Sequence, residues 1–296
     1  MDNPEQKAFA TAIGNVLQAE RLLADFRLEY AVVSGPRYGT AYEYEQRLQV
    51  GGSGAARLFR RRSPADTEVS PPGVYEGEIP KEELLEGLRT LAAAPLHAVP
   101  AQVPSPQDPV FQLTIVAARK LFVFRWSPPQ PPVPPALEAV FDLLNGWMRG
   151  ACPRPVWSLS LKALSIRFTG EGIEAAMRLE NAGSERIFVP HPASPGPREL
   201  KSLAIRHGVY PPQTPGVTPL PMEVEEEILD FQALPGPELV AVSTESPLEF
   251  TLRAPVVFTG GGGRIGVFSY LCYLHPAGVA GLPVFAGAVF SPETVL

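Results

Sequence analysis

The sequence predicts two folded parts: an α+β domain over residues 1–150, with an antiparallel sheet and about three helices, and an all-β sandwich over 151–296. Three observations predict it. Before residue 150, segments of 3.6-residue apolar period are interleaved irregularly with strand-like hairpins, too irregularly for a doubly wound sheet. After residue 150 the helical period fades, and short strands recur between Gly and Pro turns. The length of 296 residues, 45% of them hydrophobic, is enough for two cores at the usual size of about 100–200 residues per domain.

The elements follow in order. Phe9, Ile13, Val16, Leu17 and Leu23 fall near one face at helical spacing, predicting a helix over about 5–25. Strands are expected over 26–33, 42–50 and 55–61, the last two joined by Gly51-Gly52-Ser53-Gly54 as a hairpin turn. A polar loop leads to a short strand at 74–79. Pro80 suits the first position of a second helix, with Glu82 and Glu83 in the first turn, where the dipole favours acids. Leu84, Leu88 and Leu91 form its apolar stripe. After a proline-bearing loop, 110–117 and 120–126 read as a tight hairpin. Ser127 to Pro135 is a polyproline II run, a stiff connector. It leads to a third helix ending near Met148, whose Leu137, Val140, Phe141, Leu144, Trp147 and Met148 make the cleanest amphipathic pattern in the chain.

Beyond Gly150 the texture changes. Trp157, Leu159 and Leu161 alternate, and so do Leu164, Ile166 and Phe168, but the parity slips between the two sets, predicting a bulge or a sheet switch. Further strands are expected over 172–180, 186–189, 200–207, 238–242, 248–253, 264–274 and 284–290, with one helical period at 222–231. The run Ile173 to Glu185, which turns at Asn181-Ala182-Gly183-Ser184, resembles the central hairpin of bacterial immunoglobulin-like domains. The resemblance spans about residues 156–190. It implies a sandwich and no activity, because a fold does not carry a function.

Composition bounds the partners. The net charge is −6, with 15 bases against 17 acids up to residue 150 and 10 against 14 after it. Neither half is basic, so no nucleic acid is expected. No apolar stretch reaches the roughly 18 residues of a membrane-spanning helix. The start, Met1 to Lys7, lacks the basic and apolar regions of a signal peptide. A cytoplasmic protein is therefore expected. Cys152 and Cys272 predict buried free thiols, not a disulfide framework. The 35 prolines exceed the average share of about 5% more than twofold and mark strand ends and rigid connectors.

The motifs of known chemistry fail on context. Gly261, Gly263 and Gly266 spell G-x-G-x-x-G, but a dinucleotide site needs a helix after them, and Val267 to Tyr273 is strand-like. Ser53 sits in a near match to a nucleophile elbow, again followed by a strand where a helix is required. His97, His191, His207 and His275 are scattered without metal-ligand spacing. No catalytic residue, metal or cofactor is therefore expected. What remains is a protein-binding module, an inhibitor, immunity-type or adaptor protein of a bacterial system. Its candidate contacts are the basic run Arg60-Arg61-Arg62, the acidic run of Glu223, Glu225, Glu226 and Glu227, and the loop at Gly261 and Gly262. Two alternatives stay open: a self-associating subunit of a larger assembly, and an enzyme whose site gathers scattered residues such as Arg37, Tyr38, Tyr42 and Glu43.

Overall fold

The computed structural model describes residues 4–34, 44–61, 71–98, 110–126, 134–169, 172–191, 201–208, 225–227, 239–254, 264–272, 285 and 287–291. The chain divides into two compact units, Met1–Pro64 with Gly73–Val156, and Ala65–Pro72 with Trp157–Leu296. Among the described residues the fold is antiparallel sheet with four α-helices, all in the first unit. No helix among them is long and apolar enough to cross a membrane.

The first unit runs α1 (Pro4–Gln18), α2 (Glu20–Ala24), β1 (Arg27–Ser34), β2 (Tyr44–Gly51), β3 (Ala55–Arg61), β4 (Gly73–Glu78), α3 (Lys81–Ala93), β5 (Val110–Ala117), β6 (Lys120–Trp126) and α4 (Pro135–Gly150). The strands lie in the order β4-β3-β2-β1-β5-β6, and each neighbouring pair is antiparallel. Side chains alternate between the faces of a strand, so register decides what is buried. Tyr75, Leu58, Leu48, Tyr30, Leu113 and Phe124 align in one cross-strand row, and all are buried. The apolar stripes of α1, α3 and α4 join that face in a single core. Phe9 of α1 sets its ring edge-on to Phe122 and Phe124, with centroids 5.2 and 5.1 Å away. Gly87 of α3 lets α4 come close, since a Cβ there would lie 2.4 Å from the Trp147 ring. The Trp147 indole N–H donates to Glu83 at 2.8 Å, satisfying a polar group that burial would otherwise strand.

Two local readings are corrected. The N-terminal helix is not continuous to residue 25: Ala19 is extended (φ −129°, ψ 109°) and splits α1 from α2. Pro80 is the cap before the second helix, not its first residue. The β5–β6 turn is two residues, Ala118 and Arg119, both with positive φ (48° and 63°), as a type I′ hairpin turn demands.

In the second unit, β7 (Arg154–Thr169, which starts in the first unit), β8 (Gly172–Asn181) and β13 (Leu248–Ala254) form one antiparallel set, in the order β7-β8-β13. The β7–β8 register shifts between Ala163 and Ser165, the bulge expected from the slipped parity, and Leu164 there is exposed. Strands β9 (Ile187–Pro190) and β12 (Leu239–Val242) pair separately. A four-stranded sheet has the order β11-β10-β14-β15, from β10 (Lys201–Gly208), β11 (Glu225–Glu227), β14 (Arg264–Cys272) and β15 (Gly287–Phe290). The helical reading of 222–231 is overturned at its centre, because Glu225–Glu227 pairs with β10 as a strand. Leu159, Met177, Leu179, Ile187, Val242 and Val289, drawn from all three sheets, share one core.

Candidate functional site

The helices cover one face of the first unit's sheet, which leaves the odd-numbered side chains of β1, β2 and β3 on the other. Charge is concentrated there. Glu76, Arg57, Gln49, Glu29 and Thr114 align in one cross-strand row. Arg57 lies 3.8 Å from Glu76, and Gln49 donates to Glu29 at 2.9 Å. Arg47 pairs with Glu45 at 2.6 Å and approaches Glu29 at 3.7 Å. Arg57 and Glu76 are about half exposed, at 56% and 50%. Cross-strand pairs of opposite charge stabilise a sheet by roughly 0.2–1 kcal/mol each, and here they also leave the face nearly neutral.

A groove of about 1310 Å³ opens on this face, lined in part by Arg27, Glu29, Arg57, Glu76, Lys81 and Arg154. The turn between β2 and β3 forms one lip, and glycine is required there. The Gly52 N–H donates to the Phe26 carbonyl at 3.1 Å, and a Cβ on Gly52 would lie 1.6 Å from the Leu23 carbonyl oxygen. Gly54 has φ +91°, and its carbonyl accepts from the Ile79 N–H at 2.9 Å. Ser53 Oγ lies 3.4 Å from the Ala55 N–H at the start of β3. With a strand after it, the serine is turn chemistry and not a nucleophile elbow.

Behind the sheet, Arg60 corrects the reading of the basic run. It is buried among core residues, donates to the Met148 carbonyl at 3.2 Å, and lies over the Tyr75 ring at 5.5 Å. It is therefore withdrawn as a partner contact. Cys152 is a buried free thiol. Burial pushes its pKa up to about 11 from 9.0, with Arg60 opposing and Glu76 adding to the rise. The thiolate is the nucleophile, so at pH 8 the native thiol is expected to react with a disulfide reagent about 100-fold more slowly than an ordinary thiol. Stopped-flow absorbance before and after denaturation checks this. The effect works against stability at high pH: the folded state holds the proton more tightly, so stability is expected to fall as pH rises from 9.0 towards 11.

The remaining predicted contacts are not brought together. Arg61 ends β3 opposite Glu45. Glu225, Glu226 and Glu227 lie in β11, paired with β10. Arg62, Glu223, Gly261 and Gly262 lie outside the described residues, as do Arg37, Tyr38, Tyr42, Glu43, residues 127–133 of the polyproline run and His275. Gly266 falls inside strand β14, consistent with an extended segment after the glycine run. His97 sits in a short 3-10 turn, 3.3 Å from Glu5 and against Phe124 at 4.8 Å. Among the described residues no three His, Cys, Asp or Glu cluster as metal ligands. The charged rows of β1 to β4 escaped the sequence reading, although their signal was there in charges at same-parity positions of consecutive strands.

No family model matches the chain, and no curated protein sequence matches it.

Proposed function

We propose that this chain is a non-enzymatic protein-binding module, an inhibitor, immunity-type or adaptor protein of the bacterial cytoplasm, and that the charged sheet face of its first unit is the recognition surface. The groove carries the reading. Its volume of about 1310 Å³ exceeds the roughly 300–1,000 Å³ of small-molecule sites. Its floor is a lattice of polar groups that bond one another, as Arg57 does Glu76 across an ion pair and Gln49 does Glu29 through its amide. Such a surface gives orientation and register to a macromolecular partner.

The second unit fits an immunoglobulin-like sandwich. In support, β7-β8-β13, β9-β12 and the four-stranded sheet contribute to one core, as sheets packed face to face do.

The test uses the full chain as bait in native lysate, alongside an Arg47→Glu, Arg57→Glu double variant. Both residues are half exposed, so the fold is expected to survive the change. The wild type is expected to retain a stoichiometric partner, with recovery by the variant reduced about tenfold. Equal recovery by both proteins, or none by the wild type, overturns the reading.

A further inference from the structure

Strand β6 ends the first unit's sheet. Its turn fixes which backbone groups are spent. In a two-residue hairpin the residues flanking the turn, here Ala117 and Lys120, form a hydrogen-bonded pair, and pairs of that kind then recur at every second residue. Lys120, Phe122, Phe124 and Trp126 therefore direct their N–H and C=O groups to β5. Leu121, Val123 and Arg125 direct theirs outward, and among the described residues no further strand pairs with that edge.

The side chains of the same residues break the pattern of a defended edge. Leu121 is 65% exposed and Val123 47%, two of only three exposed large hydrophobics among the described residues. They stand opposite Val116 and Thr114, which line the groove, so the apolar strip continues the groove's rim. Charge decides what covers it. From Ala118 to Trp126 the chain carries Arg119, Lys120 and Arg125 and no acid, although the whole protein has net charge −6. A second copy of β6 would bring like charges together, a known device against edge-to-edge pairing. An acidic strand meets no such barrier.

We propose that β6 accepts an extended acidic segment of a partner protein as an added strand. Main-chain hydrogen bonds form to Leu121, Val123 and Arg125, apolar side chains of the segment lie beside Leu121 and Val123 on one face, and carboxylates at the alternate positions meet Lys120 and, at the turn, Arg119. This is strand addition to a sheet edge, in which backbone bonds give affinity and alternate side chains give specificity. The proposal rests on the protein-binding reading and names the mode of contact.

The probe is a fluorescein-labelled (Glu-Val)4 peptide, followed by anisotropy against the full chain, with (Lys-Val)4 as the counterpart. The acidic peptide is expected to bind and the basic one not. Val123→Pro removes one outward N–H, which an edge strand tolerates, and is expected to weaken binding about tenfold. Arg119→Glu with Lys120→Glu, both in or beside the turn, is expected to do the same without touching the backbone bonds. Unchanged binding by both variants, or equal binding of the two peptides, overturns the proposal. So does self-association in sedimentation that Val123→Pro abolishes, which would make a second copy the occupant. If a lysate partner is held equally by wild type and Val123→Pro, strand addition falls while the binding module stands. If no lysate partner is recovered, the module reading falls by its own test, whatever the peptides do.

Discussion

Asn181→Ala is expected to destabilise the second unit by about 3 kcal/mol or more, lowering its thermal midpoint by roughly 6–12 °C. The side chain is buried, 3% exposed, and uses its whole hydrogen-bonding capacity. Its Oδ1 accepts from the Ser158 N–H at 3.0 Å and the Gly183 N–H at 2.9 Å. Its Nδ2 donates to the Glu185 carbonyl at 2.7 Å and the Val242 carbonyl at 3.2 Å. One amide thus ties β7, the turn after β8 and β12 together. Alanine removes every one of these partners, and each buried group left unsatisfied costs about 1–3 kcal/mol. Asn181→Asp provides the contrast: it keeps both accepted bonds and replaces the donating amide with an oxygen facing two carbonyls, so it should be nearly as damaging. Differential scanning calorimetry on the full chain reads both variants. A midpoint within 2 °C of the wild type would show that these bonds are not what holds the turn.

Gly52→Ala is expected to cost the first unit about 3 kcal/mol or more. Overpacking a core side chain typically costs about 1–3 kcal/mol because neighbours can rotate away. At Gly52 the obstacle is the Leu23 carbonyl, 1.6 Å from the added carbon, so only backbone movement relieves it. That movement would break the Gly52 N–H bond to Phe26 and disturb the groove's lip. Gly51→Ala, whose Cβ would meet nothing closer than 3.8 Å, is the matched control. Urea denaturation of the two variants should separate them clearly, and equal midpoints would refute the argument.

The sequence disclosed local pattern well and long-range company poorly. The β5–β6 hairpin was legible to the residue, because two alternating runs and a two-residue gap leave one register. α4 was legible because its apolar stripe is unbroken. The split at Ala19 was not: no Gly or Pro marks it, and nothing local to the helix shows that Leu23 must turn to meet the Gly52 turn. Arg60 was misplaced by composition, since three consecutive bases read as surface, while parity with Ala56 and Leu58 puts it on the core face. The strand at Glu225–Glu227 was read as helix, because a weak helical period outweighed a pairing partner about twenty residues earlier, at Ile205 to His207. The turn at Asn181 was legible as a turn, but its role as a four-bond anchor was not, because Ser158 and Val242 are far away in sequence. The charged face of the first unit was missed for the same kind of reason, being spread over four strands.

The way Phe9 is covered bears on how the protein is born. The rings that enclose it belong to Phe122 and Phe124, on the hairpin that completes the first unit's sheet. During translation at about 5–20 residues per second, on the order of ten seconds pass between the synthesis of the first aromatic and that of the last two. Strands β1 to β4 can zip together sequentially in that interval, each meeting the one made just before it. The opening helix can meanwhile rest only on α3 and the unfinished sheet, so the last cover over its leading aromatic waits for the hairpin to emerge.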